Sequence, residues 1–402
     1  MADNNENKVL NVPHLRFPEF TEEWEETTLG KISEITKGSG ISKDQLSEQG
    51  SPCILYGELY TKYKSEIIDE VYSRTELDSS SLVKSKANDV IIPCSGETAI
   101  DISTARCVPF NNILLGGDLN IIRLKHDDGG FFAYQLNGAR KKDIARVAQG
   151  VSVVHLYGEN LKHIRVYHPA IEEQKKITRL LSLIDERIAT QNKIIEKLQS
   201  LIKGLIDDII TLKCGQLVAF ETLYSKAGEG GTPTTSNTEF YDNGSIPFIK
   251  IDDLSNKYLS ANKDYITELG LKKSSAWLIP THSIIYSNGA TIGAISINKY
   301  PVCTKQGILG IVPNTNIDVE FLYYFMQSSY FQKEVERVVT EGTMKTAYLK
   351  DINHIKCPIP DLDRQKEISH LLSVLSLKED VERQLLQKYQ IQKQYLLRKM
   401  FI

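Results

Sequence analysis

The stretch from His168 to Asp185, HPAIEEQKKITRLLSLID, returns near the C-terminus as Pro360 to Leu375, PDLDRQKEISHLLSVL. No other feature limits the fold as tightly, because a long internal repeat divides a chain into units built on one plan. Pro169 stands 191 residues before Pro360 (360 − 169), and Gln174 with Gln365 and Ile177 with Ile368 keep that offset. The register reaches upstream: Lys142 to Val147 answers Lys333 to Val338, and Tyr157, Leu161 and Ile164 answer Tyr348, Ile352 and Ile355. Leu29 and Ile32 fall opposite Phe220 and Leu223, while Gly150 and Gly342 are one residue out of step.

Between the matches the halves diverge, and Asp44 to Arg123 has little in common with Ser236 to Val312. This private content carries strand-like runs at Val90 to Pro93, Asn120 to Leu124, Ile246 to Ile251, Ser283 to Tyr286 and Gly307 to Val312. Gly, Pro, Asn and Asp interrupt them, as in a compact mixed domain with many loops. A helix is expected after each set, from about Phe131 to Ala148 and from about Glu320 to Val339. A length of 402 residues suits two such domains with connecting helices. The expected division is an arm over 1–20, a domain over 21–168, a helix over 169–213, a second domain over 214–359 and a last helix over 360–402.

The repeated helix carries an apolar seam. Ile177, Leu181, Ile184, Ile188, Gln191, Ile195, Leu198, Ile202, Leu205, Ile209 and Leu212 alternate steps of four and three, a heptad pattern with one polar member. The second copy keeps Ile368, Leu372, Leu375, Leu386, Tyr389, Leu396 and Met400 but places Glu379, Glu382 and Lys393 on the seam. Such a seam needs another helix, from the same chain or from a second molecule; this chain supplies its own, which favours an intramolecular pair. Helices of this length reach roughly 60 Å, comparable to one or two turns of duplex DNA at about 34 Å each.

Several functions are disfavoured. With 41% hydrophobic and 25% charged residues the composition is that of a soluble globular protein. No apolar run nears the roughly 20 residues of a membrane span, and the polar start MADNNENKVLN lacks the apolar core of a secretory signal. A cytoplasmic protein is expected. Cys53, Cys94, Cys107, Cys214, Cys303 and Cys357 are scattered and read as reduced, packed thiols. A formal charge of −3 argues against coating nucleic acid regardless of sequence, though not against binding through local patches. The chain has no phosphate loop, no H-E-x-x-H, no G-x-S-x-G elbow and no Asn/Asp-Pro-Pro-aromatic tetrapeptide. Gly38-Ser39-Gly40 and Gly228-Glu229-Gly230-Gly231 read as flexible loops, and His163, His168 and His354 as structural. A duplicated frame with divergent inserts and no catalytic signature suggests a two-headed reader.

Two copies of P-x-[IL]-x-x-Q-x-x-I-x-x-L-L begin at Pro169 and Pro360, and Val12-Pro13-His14-Leu15-Arg16-Phe17-Pro18-Glu19-Phe20 precedes Trp24. The second half adds Gly231-Thr232-Pro233, Ile246-Pro247-Phe248-Ile249-Lys250, Ser287-Asn288-Gly289-Ala290-Thr291-Ile292-Gly293 and Lys305-Gln306-Gly307. The first half adds Tyr56-Gly57-Glu58-Leu59-Tyr60, Ser95-Gly96-Glu97-Thr98 and Gln149-Gly150-Val151-Ser152. In this order the set closely resembles the specificity subunit of type I restriction-modification enzymes, over essentially the whole chain. That resemblance implies an α/β (α+β) fold, with two mixed target recognition domains separated by two long antiparallel coiled-coil helices as a pseudo-twofold tandem repeat. It implies double-stranded DNA with a bipartite target as ligand, with the helices fixing the spacer. It implies a non-catalytic chain without cofactor, joined by two modification subunits that use S-adenosylmethionine and two restriction subunits that use ATP and Mg. Glu379, Glu382 and Lys393 would then face the modification subunits. The competing reading is a coiled-coil scaffold joining two protein-binding domains, which sequence-selective DNA binding would discriminate against.

Bases are read by side chains that reach their edges from loops. In the first head the expected readers are Lys37, Ser39, Lys43, Tyr56, Glu58, Tyr60, Lys62, Ser95, Glu97, Thr98, Ser152 and His155. In the second they are Thr232, Thr234, Thr235, Lys250, Asp252, Ser287, Asn288, Thr291, Lys305, Gln306, Lys345 and Thr346. Each of them could instead be a capped turn or a solvated loop.

Overall fold

The computed structural model describes residues 10–211, 215–289, 291–340 and 345–402, so Cys214, Leu212, Ala290, Gly342 and the side chain of Ile209 lie outside the described residues. The chain forms two compact units, Met1–Asn192 with Gln384–Ile402, and Lys193–Arg383. Two long helices, Ile171–Thr211 and Leu362–Lys399, contribute to both.

In the first unit an antiparallel sheet runs Ser33–Lys37, Leu119–Leu124, Asp89–Pro93, Arg106–Val108 in spatial order. Its central strands, LNIIRL and DVIIP, are almost wholly buried apolar runs, which suits a sheet covered on both faces. In the second unit Tyr224–Glu229, Ile308–Pro313, Ile284–Ser287 and Ile295–Asn298 pair antiparallel in the same succession, and Tyr258–Leu259 adds a parallel edge. The sheet plan is therefore repeated where the sequence shows no repeat. A two-stranded ribbon also recurs at the 191-residue offset: Glu25 pairs with His168, and Gln216 with Ile359.

The helices expected at Phe131 to Ala148 and Glu320 to Val339 are each broken in two. Gly129–Asn137 and Lys141–Val147 are separated at Gly138. Val319–Gln327 and Ser329–Val338 are separated at Ser328, whose extended backbone lets its Oγ accept a hydrogen bond from Phe331 N and restart the helix.

The repeated Gln has one task in both units. Gln174 is buried; its Oε1 accepts from Asp128 N at 2.9 Å and its Nε2 donates to Asp127 Oδ1 and Pro169 O. Gln365 repeats this with Asp318 N, Asn316 O and Pro360 O. Asp128 and Asp318 in turn cap the helices they precede. One side-chain amide thus fastens the start of each long helix to the start of the helix that crosses the sheet, satisfying backbone groups that burial would otherwise strand.

Each unit builds its core from the beginning of one long helix and the end of the other. Ile177, Leu181 and Ile184 share the first core with Leu396, Met400 and Phe401, and Ile188 packs beside them. Ile206, with Ile202 and Leu205 alongside, shares the second with Ile368 and Leu372. Ile195 is also buried, whereas Leu198, Leu375, Leu386 and Tyr389 are half-buried. Trp24, anchored edge-on against Phe131 at 5.5 Å between ring centroids, fixes the arm's end to the first core.

The charged seam positions do not present free side chains. Lys393 turns into the first unit, with Nζ 2.5 Å from Glu66 Oε2 and 2.6 Å from Asp185 Oδ1. Glu379 is engaged by Arg383 at 2.7 Å and Glu382 by Lys378 at 3.2 Å, and both carboxylates are largely covered. The expectation of a partner-facing side chain is corrected for Lys393: a charge on an apolar seam is held there by neighbours that neutralise it. His168, expected to be structural, donates from Nδ1 to Asp127 at 3.1 Å, and that hydrogen bond raises its pKa. Five cysteines are buried free thiols, and no helix among the described residues is long and apolar enough to cross a membrane.

Candidate nucleic-acid interface

Loops of the first unit that carry Ile41, Leu55 and Gly116 enclose a cleft of about 890 Å³. Lys43, Tyr56, Glu58 and Lys62 line it together, joined by Ser42, Gln45, Thr61 and Asp118, which the sequence did not single out. Gly38 makes the approach possible, because a Cβ there would lie 1.9 Å from the Gly116 oxygen. Apolar Ile41, Leu46 and Leu55 share the lining, with the polar groups converging on it.

The expected readers of this head divide by environment. Lys37, Lys43, Tyr56, Glu97, Ser152 and His155 are exposed. Glu58 is buried: it accepts from Lys62 Nζ at 2.6 Å and Leu55 N at 2.9 Å, and Ser73 Oγ donates to it as well. The Glu58 assignment is therefore corrected, since its carboxylate is buried and already answered, whereas Lys62 is exposed and lines the cleft beside it. Ser95 is buried and donates to Asp118 at 3.2 Å, and Ser39 Oγ accepts from Val83 N; both secure loops. Thr98 caps the helix Ala99–Ile102 by accepting from Asp101 N. Tyr60 is half-buried, and burial pushes its hydroxyl above the ordinary value, so it remains a donor at neutral pH.

In the second head Thr234, Thr235, Lys250, Asp252, Thr291, Lys305, Gln306 and Lys345 are exposed, and Thr232 and Thr346 half-buried. Lys250 spends its ammonium on Asp264 at 2.7 Å. Ser287 and Asn288 are buried, which corrects their assignment. Asn288 donates from Nδ2 to Ala347 O and accepts from Ala347 N at its own carbonyl, tying the end of its strand to the segment after 340.

One arrangement recurs at the 191-residue offset. Gln149 and His155 exchange backbone hydrogen bonds of 2.9 and 2.7 Å, and Thr340 and Thr346 exchange bonds of 3.0 and 3.4 Å. The first pair closes the stem of a loop, and after each pair comes a half-exposed tyrosine, Tyr157 in one unit and Tyr348 in the other. Gly150 permits the first loop's turn at φ +120°, where a Cβ would lie 2.1 Å from Val153 O. Val151, almost wholly exposed, and the Tyr157 ring stacked on His155 at 6.2 Å were missed by the sequence reading. The signal was available as Tyr157 opposite Tyr348, but an aromatic in a repeat reads first as core. Exposed aromatics, amides, hydroxyls and lysines around these paired bridges can stack on, hydrogen-bond to and neutralise a polyanion, and nothing in either set resembles a nucleophile with its base.

The profile described as the type I restriction modification DNA specificity domain matches residues 21–200 and 224–389. The chain is 30% identical over 172 residues to the type I restriction enzyme EcoR124I/EcoR124II specificity subunit of Escherichia coli, covering 41% of this chain and 42% of that one, less than half its length. It is 23% identical over 410 residues to the type I restriction enzyme MjaVIII specificity subunit of Methanocaldococcus jannaschii, covering 94% and 91%. In fold it is similar to the crystal structure of the type I restriction-modification system S subunit from M. genitalium, with a TM-score of 0.62, 17% identity and coverage of 97% and 99%.

Proposed function

The chain belongs to the family of type I restriction-modification DNA specificity proteins, and from that premise we propose that it is the target-reading subunit of such a complex. Each head reads one half of a split double-stranded target. The long helices set the unspecified spacer and dock two modification subunits, through which two restriction subunits join. The chain holds no cofactor of its own; S-adenosylmethionine belongs to the modification partner, and ATP and Mg to the restriction partner. The reading places the complex in the cytoplasm and methylation on adenine.

The observation that carries it is the pair of backbone bridges, Gln149 with His155 and Thr340 with Thr346, set on the same sheet plan but carrying different side chains. A repeated frame that carries unlike polar side chains suits two half-targets of unlike sequence. Co-expression with a cognate modification subunit in methylation-free cells, followed by single-molecule mapping of methyladenine, tests it. The expected result is a split motif with a fixed spacer. A stable complex that methylates nothing would overturn the reading in favour of a scaffold.

Gln306 is exposed beside Lys305 on the second head, and an amide can bond two edges of adenine at once. Gln306→Ala is expected to relax the second half-target alone, with discrimination there falling about tenfold or more, as for one bidentate contact. Methylation mapping of the variant checks this, and equal weakening at every site would assign Gln306 to phosphate instead.

A further inference from the structure

In the first unit the arm is docked on the opening turns of the first long helix. Arg16 forms a bidentate pair with Glu173, both bonds 2.7 Å. Glu19 pairs with Lys176, whose ammonium also lies 4.5 Å from the Phe17 ring centroid and 5.9 Å from that of Phe20. Phe17 and Leu180 each pack against the core of that unit.

The matching surface of the second unit is uncovered among the described residues and has its charges reversed. At the 191-residue offset Glu173 becomes Arg364 and Lys176 becomes Glu367, while Leu180 becomes Leu371 and Leu183 becomes Val374. Arg364 pairs with Glu367 at 2.7 Å, and both side chains are more than half exposed; such a surface pair is worth at most about 1 kcal/mol and re-partners readily. Leu371 is 48% and Val374 51% exposed. Farther along, Glu186 and Thr190 of the first helix are answered by apolar Leu377 and Val381, exposed by 65% and 55%. The second repeat supplies no arm of its own, since Val12 to Glu23 stand opposite Lys203 to Cys214, and Lys203 to Thr211 belong to the first long helix.

We propose that this face of the second long helix, Arg364 and Glu367 with Leu371 and Val374, is a docking surface for an extended segment of the modification partner. The segment lies as the arm lies on the first unit, but with an acid where the arm has Arg16 and a base where it has Glu19, and with aromatic side chains between them. The arm of a second copy is excluded, because Arg16 would meet Arg364 and Glu19 would meet Glu367. The reversal thus works against the wrong occupant as well as for the right one. The identity of the partner rests on the function proposed above; the charge pattern does not.

The test uses the full chain and two labelled peptides of the Leu10–Trp24 sequence, one native and one carrying Arg16→Glu and Glu19→Lys, without DNA or a modification subunit. The first unit's site is held by its own tethered arm, whose effective concentration excludes a free peptide. The reversed peptide is expected to bind about tenfold more tightly than the native one, the effect of turning two attractive contacts repulsive. On a chain with Arg364→Glu and Glu367→Lys the preference is expected to invert. Equal affinities, no saturable binding of the reversed peptide, or a preference that survives the swap would each overturn the proposal. Because both residues are exposed, thermal unfolding of the swapped chain should match the wild type. Methylation mapping separately decides the function, so failure of either leaves the other legible.

Discussion

Replacing Lys393 by methionine is expected to destabilise the first unit by about 3–5 kcal/mol near pH 8, the cost of leaving a buried charge pair without one partner. The reason is crowding of acids. Lys393 Nζ bridges Glu66 and Asp185, and the Tyr134 hydroxyl donates to Asp185 at 2.7 Å. All four groups are largely or wholly buried. Burial pushes the Asp185 carboxyl up to about 6, with Lys393 opposing the shift and Glu66 adding to it. For an acid raised in the folded state, the stabilising form is the protonated one. Its contribution is complete below the ordinary value near 3.8 and is lost as pH rises through about 6. Without Lys393 the upper limit moves higher still, so the loss should be smaller at pH 5 than at pH 8. Lys393→Met with Asp185→Asn should recover part of the stability, because an amide oxygen still accepts from Tyr134.

Denaturant unfolding can read this unit by itself. Of the two tryptophans, Trp24 lies in the first unit and Trp277 in the second, so a Trp277→Phe background leaves Trp24 as the reporter. An unchanged midpoint, or a loss equal at both pH values, would show that the bridge contributes nothing to stability.

The same node shows what a sequence can and cannot disclose. At the 191-residue offset Glu66 stands opposite Lys257, and Asp185 opposite Ser376. In the second unit Lys257 binds Glu320 at 2.9 Å, Tyr324 at 3.1 Å and Ser373 at 2.8 Å. Both heads are fastened to a long helix by a half-buried lysine, yet the lysine comes from the helix in one unit and from the head in the other. Period and spacing disclosed the helices and their seam, because those rest on a regular 3.5-residue repeat. They disclosed neither lysine's partners, because a bridge between distant segments leaves no spacing to read.

Recognition loops are less legible still. Glu58, Ser95, Ser287 and Asn288 looked like readers because polar residues next to glycines usually lie in open turns. Burial turned each into a support, with Glu58 holding Lys62 and Asn288 holding Ala347. Conversely, Tyr157 and Val151 belong to an exposed stem although their residue types suggest a core. Sheet order escaped the sequence for a related reason: it is fixed by pairings between strands far apart in the chain, and different apolar side chains can fill the same four-strand succession, so the two heads keep the plan without keeping the letters.

Inserting four residues after Gln191 in the first long helix and four after Arg383 in the second is expected to lengthen the methylated target's spacer by one to two base pairs. Four helical residues add about 6 Å and about 40° beyond a full turn, against about 3.4 Å per base pair. Both insertions fall where one unit gives way to the next. Ile184 therefore keeps Leu396 in the first core, and Ile206 keeps Ile368 and Leu372 in the second. Four is the smallest number close to a whole turn, so the apolar seams resume on nearly the same face. An insertion in the first helix alone offers no such relief. The second helix is not lengthened with it, so the two cores, each built from both helices, can no longer both close, and that variant should fail to assemble. Methylation mapping of the doubly extended chain decides the matter. A variant that assembles and methylates with the original spacer would remove the helices from any part in measuring DNA and leave the spacing to the modification subunits.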